Sequence, residues 1–198
     1  MPRTLKPPST ERAAAEDKVS HALAARDFRA ASGAVATYEA KQPSARGMGI
    51  DWKNHNPAND ILVLEAIYSH IPTILTGVLP EAVEPLRYAA AMMYLWGGHK
   101  RRWLPIDLPN GTHLRADAAS RMFLFYGYSQ RSIAGWKPLI ESGAINRAEV
   151  TGCKDACKSC QRMIGGIYDV ADLPEFPHPN CKSDKGCRCS LNPVLVVR

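Results

Sequence analysis

No stretch of this 198-residue sequence approaches the length of a membrane-spanning helix. Its longest uncharged apolar runs are about 11 to 15 residues and are interrupted by Gly, Pro, His or Ser, whereas a span needs about 20. The N-terminal MPRTLKPPSTERAAAEDK has no apolar core after its basic residues, so it does not read as a secretory signal. The expectation is a soluble protein made in a reducing compartment. A concentration of one charge is missing too. The net charge is +6, yet residues 1–60 and 61–152 each carry nine basic and seven acidic side chains, and residues 153–198 carry seven and five. Each third is therefore +2, and no segment presents a strong electrostatic footprint. No internal repeat is visible. Cysteine is absent from the first 152 residues.

All six cysteines, with one of the six histidines, are gathered near the C-terminus. They read Cys153-x3-Cys157-x2-Cys160, then His178-Pro179-Asn180-Cys181-x5-Cys187-x-Cys189. An even number of cysteines in a secreted chain would suggest disulfides. In a reducing compartment, Cys-x2-Cys followed at a distance by Cys-x-Cys points to metal ligation, with zinc as the expected cofactor. The candidate ligands are Cys153, Cys157, Cys160, His178, Cys181, Cys187 and Cys189. A single structural zinc takes four of these seven. Alternatively, Cys153 and Cys181 belong to an extended or second site, because six thiolates can bind two bridged zincs. The spacing matches neither ferredoxin run, and no βαβ context favours redox use of the Cys-x2-Cys pair.

The remaining chain reads as helical. Residues 1–10 are polar and Pro-rich. Thr10 with Glu11 starts an Ala-rich helix over residues 11–31, and a long linker or ordered loop follows over residues 42–59. Asp60 can cap a helix to about His70 with Ile61, Leu64 and Tyr68 on one face. Pro80 opens a second helix, with Glu81 and Glu84 near its start and Val83, Leu86, Ala90 and Met93 in one stripe; Gly97-Gly98 ends it. Asn110-Gly111 marks a turn. A third helix is predicted over about residues 115–129, burying Met122, Phe125 and Tyr126, and a fourth over about 130–142. Beyond Gly143, residues 144–151 and 191–197 suit strands, and residues 161–170 suit a hairpin at Gly165-Gly166. The fold class is α+β: a mainly helical body with a small, zinc-stapled C-terminal β module. The segments are an arm and linker over 1–55, a helical body over 56–143 and a cysteine-rich module over 144–198. A module of about 50 residues buries too little surface to fold unaided, which a metal staple would remedy.

Catalytic signals are weak. Glu175, Asp172 and Asp169 lack the His-x-Glu spacing of zinc deaminases. His178 with Asn180 resembles half of an HNH nuclease motif, without a second histidine in the region. His21, His55, His70, His99 and His113 are scattered. Lys100-Arg101-Arg102, between His99 and Trp103, is the only basic knot, and the candidate for a DNA or RNA contact. A nucleic-acid-binding zinc ribbon is the alternative reading, and a metal-dependent nuclease or hydrolase a more distant one; the chain is not expected to be an enzyme.

Several residues together resemble a known signature. Asp155-Ala156-Cys157-Lys158-Ser159-Cys160, Gly165-Gly166-Ile167-Tyr168, Pro177-His178-Pro179-Asn180-Cys181 and Cys187-Arg188-Cys189-Ser190-Leu191-Asn192-Pro193-Val194 are similar to the C-terminal region of phage minor head proteins, the Mu F-like or phage head morphogenesis family. The preceding helix, with Tyr126, Ser132, Trp136 and Glu141-Ser142-Gly143, is similar as well, so the resemblance covers about residues 120–197. Lys182–Gly186 is inserted between the last two pieces, so that either Cys181 or Cys187 takes the family position, and Cys153 is additional. The resemblance implies a virion component needed for head assembly, placed near the portal or inside the capsid after assembly in the host cytoplasm. Its implied partners are capsid or portal subunits, with a contact to packaged DNA possible through Lys100, Arg101 and Arg102.

Overall fold

The structure, a computed structural model, describes residues 9–42, 50–97, 103–105 and 107–196. It has a mainly helical N-terminal body and a small C-terminal three-stranded antiparallel sheet beside the cysteine cluster. Its contacts divide the chain into two compact units, residues 1–61 and 62–198. No helix among the described residues is long and apolar enough to cross a membrane. The basic knot Lys100, Arg101 and Arg102 lies outside the described residues.

In the first unit, α1 (Thr10–Ala24) and α2 (Phe28–Glu39) form a helical hairpin where one helix is predicted from sequence. The break has a local cause. Arg26 turns the backbone into the left-handed region at φ 60°. Asp27 then caps the new helix, accepting a hydrogen bond from the Ala30 N–H at 2.9 Å. The next helix, α3 (Ala58–Ser69), begins two residues before the predicted cap. Asn56 accepts from the Ala58 N–H instead, while the Asp60 carboxylate accepts from Ser32 Oγ at 2.6 Å and meets His55 Nε2 at 2.8 Å.

The second unit begins within α3, whose buried face is Val63, Leu64, Ala66 and Ile67. The predicted Leu64 is central to it, whereas Ile61 and Tyr68 are half-buried flanks. Next comes α4 (Pro80–Trp96), with Pro80 in its first turn and Gly97 at its C-cap. Its second half is buried almost all round, through Ala89, Ala90, Ala91, Met92, Met93, Leu95 and Trp96, as befits a core helix. Asn110 organises the predicted turn from within: its side chain accepts from the Thr112 N–H and donates to the Leu114 carbonyl. The third and fourth predicted helices are one element, α5 (Ala116–Glu141). Residues 127–132 contain no proline, and Gly127, which can end a helix, here lies against Val63 of α3 within a continuous helix. Its buried aromatics are Phe123 and Trp136, while Phe125 and Tyr126 are only half-buried.

The sheet has the order β2-β1-β3, with β1 (Ile145–Thr151) at the centre between β2 (Ile167–Asp169) and β3 (Ser190–Leu195). The weak alternation of residues 144–151 has a structural origin. An irregularity between Ile145 and Arg147 shifts the register, so Ile145, Ala148 and Val150 share the buried side. The expected hairpin at Gly165-Gly166 is different in kind. Lys158–Gln161 forms a single helical turn, α6, and Gly165 and Gly166 exchange hydrogen bonds with Val150. They carry the chain onto the edge of β1 instead of folding it back on itself.

Candidate metal centre

The site is assembled from two loops that the sheet brings together. The first leaves β1 at Thr151 and enters α6, with Cys157 at the N-cap and Cys160 in the helical turn. The second runs from Phe176 to Cys189 and ends in β3, which pairs with β1. Because Thr151 at the end of β1 pairs with Ser190 at the start of β3, the start of the first loop and the end of the second arrive at the same place. This is how residues some 20 positions apart meet.

All six cysteines are free thiols, with Cys160, Cys181 and Cys187 buried and Cys153, Cys157 and Cys189 half-buried. Two triads have their sulfurs within 4.8 Å of one another: Cys157, Cys160, Cys181 and Cys160, Cys187, Cys189. Either could hold a metal such as zinc. Cys157 Sγ lies 3.8 Å from Cys181 Sγ, Cys160 Sγ lies 4.0 Å from Cys187 Sγ, and His178 Nδ1 lies 3.8 Å from Cys160 Sγ. Zinc–sulfur bonds of about 2.3 Å in a tetrahedron set sulfurs about 3.8 Å apart, so the spacings suit a shared ion. Disulfide sulfurs are only about 2.05 Å apart. Cys153, outside both triads, lines a small void with Cys157, Cys160, Cys181 and Cys189.

The protonation of the cluster is uneven. Burial opposes ionisation of Cys157, but the N–H groups of Lys182 and Cys160 outweigh it and bring its pKa down to about 6; the Lys182 N–H donates to Cys157 Sγ at 3.4 Å. Burial pushes the Cys160 thiol up. Its hydrogen bond with Cys187 raises Cys181, with burial adding to the effect. Burial also raises Cys189 and lowers His178, keeping the imidazole neutral and able to act as a ligand.

The loops are fastened by residues other than cysteine. Asp155, ahead of the Cys-x2-Cys, pairs with Arg188 of the Cys-Arg-Cys at 2.7 Å. That hydrogen bond holds the Asp155 carboxyl below its ordinary range. The inserted segment Lys182–Gly186 docks on α5: Arg121 Nη2 donates to the Lys185 carbonyl at 3.2 Å, and the Cys187 N–H lies 3.2 Å from Met122 Sδ. Gly186 has φ 82°, and a Cβ there would lie 2.5 Å from Met122 Cε. Nothing in the local sequence signals this docking, because its partners are more than 60 residues away.

Two of the three carboxylates weighed as catalytic groups are engaged elsewhere. Glu175 accepts from the Thr73 N–H at 2.8 Å and from Thr73 Oγ1 at 2.5 Å, and Asp169 pairs with Arg147 across the β1–β2 ladder. Beside the cysteine cluster, Phe125, Tyr128, Trp136, Phe176, Arg188 and Leu191 line part of an open, largely apolar cleft. Searches of protein families, curated proteins and solved structures find no match to this chain.

Proposed function

We propose that this chain is a non-catalytic structural protein of a phage head, a relative of the minor head proteins, whose C-terminal module is held together by zinc. The observation that carries the reading is the convergence of the signature. Its cysteine-bearing pieces meet at one centre, where cysteines form two triads and two charged signature residues, Asp155 and Arg188, pair. Thiolate-dominated tetrahedral sites are structural in most proteins, because they leave no open position for substrate. The strands are also short, at seven, three and six residues. A sheet of that size depends on added constraints.

On this reading, the module docks against capsid or portal subunits during assembly in the host cytoplasm and stays in the virion. The test is made on particles. Mass spectrometry of purified heads from the element encoding this chain should detect it, and deleting its gene should abolish filled heads. A chain missing from particles and dispensable for their formation overturns the proposal.

A further inference from the structure

We infer that the cluster is binuclear, with two zinc ions bridged by the Cys160 thiolate. The inference rests on the metal-site part of the reading above and does not depend on the phage assignment. The two triads share one residue, Cys160, which is buried and has Cys187 Sγ and His178 Nδ1 at 4.0 and 3.8 Å. The triads contain five sulfurs, one more than a tetrahedron can hold, and the five are not all mutually within reach. A single ion therefore leaves at least one triad incomplete.

Counting donors leads to the same arrangement. Two tetrahedra that share one corner need seven donors. The chain brings six cysteines and one histidine to this place. Cys157, Cys160 and Cys181 form three corners of one tetrahedron; Cys160, Cys187 and Cys189 form three of the other. His178 and Cys153 remain, one for each open corner. His178 is already in contact with the bridging sulfur. The chain at Cys153 also passes close by, since a Cβ on neighbouring Gly152 would stand 3.0 Å from Cys189 Sγ. The additional cysteine thus acquires a purpose as a ligand of the second ion, and the inserted segment separates Cys181 of one triad from Cys187 of the other.

The full chain, purified with its zinc, provides the test. Elemental analysis and native mass spectrometry should give two zinc ions per chain. After exchange with cadmium-113, NMR should show two metal resonances, with the β-protons of Cys160 correlated to both and those of every other cysteine to one. One metal per chain, or two metals with Cys160 correlated to only one, overturns the bridge while leaving a metal site intact. Absence of bound metal overturns both the bridge and the zinc staple.

Discussion

At the scale of single residues, the cluster is chemically graded. Cys157 is held down to about pKa 6 by backbone N–H donors, whereas Cys160, Cys181 and Cys189 are raised. A cysteine in an unfolded chain titrates near about 8.5. The Cys157 thiolate therefore contributes stability in full above that value, and its contribution disappears as the pH falls through about 6. After chelation, iodoacetamide at pH 7 should modify Cys157 first, with a rate profile centred near its lowered pKa. Uniform labelling of all six thiols would show that the knuckle does not hold its shape without metal. Gly186 is the other decisive residue. Gly186→Ala combines left-handed backbone with a collision at Met122, and should destabilise the protein by about 1–3 kcal/mol in denaturant titration. Unchanged stability would mean that the inserted loop does not dock on α5.

At the scale of elements, α5 carries a paired comparison. A Cβ on Gly127 would lie 2.9 Å from both the Val63 carbonyl oxygen and Val63 Cγ1, whereas one on Gly135 would meet nothing within 4 Å. Gly127→Ala should therefore push α3 away at a cost of about 1–3 kcal/mol. Gly135→Ala, at an exposed helical position, should add up to about 1 kcal/mol. Equal responses in thermal unfolding would contradict the close approach of α3 and α5. The helices on this face illustrate what local patterns encode. Pro80, Gly97 and Asn110-Gly111 are readable because their backbone preferences act within a few residues. The hairpin at Arg26-Asp27 carries a local signal too, Asp27 as a capping residue inside an Ala-rich run, but the pattern predicts one unbroken helix over residues 11–31 there. The division of α5 into two helices fails because Gly127, a residue able to end a helix, instead gives α3 room to approach, which the local sequence does not show. In β1, an irregularity between Ile145 and Arg147 shifts the register at its start, so its burial cannot be read by counting every second residue.

At the scale of the whole molecule, two kinds of fastening act on the second unit. One is the proposed metal centre. Binding energy at a structural site is folding energy, so chelation should cost the C-terminal module several kcal/mol. Circular dichroism and hydrogen exchange on β1–β3 would report the loss, and unaltered protection would refute a structural metal. The other is Glu175, whose carboxylate receives two hydrogen bonds from Thr73, more than 100 residues earlier. Glu175→Ala should lower stability by about 1–3 kcal/mol without changing metal content by elemental analysis. Loss of metal in that variant would place Glu175 in the site.

The sequence names seven candidate donors, and the structure gathers five of them, all cysteines, into the two triads; the knuckle turns that carry them are short-range features. A mainly helical body followed by a strand-rich end was equally legible in periodicity and composition. Grouping was not. That Cys160 belongs to both triads, that Asp155 meets Arg188, and that Lys182–Gly186 rests on Arg121 and Met122 all depend on where β1 places two distant loops. Short-range preferences act through the backbone of neighbouring residues, so sequence carries them openly. Distances between side chains far apart in the chain are set by how whole elements pack, and only the folded molecule decides those.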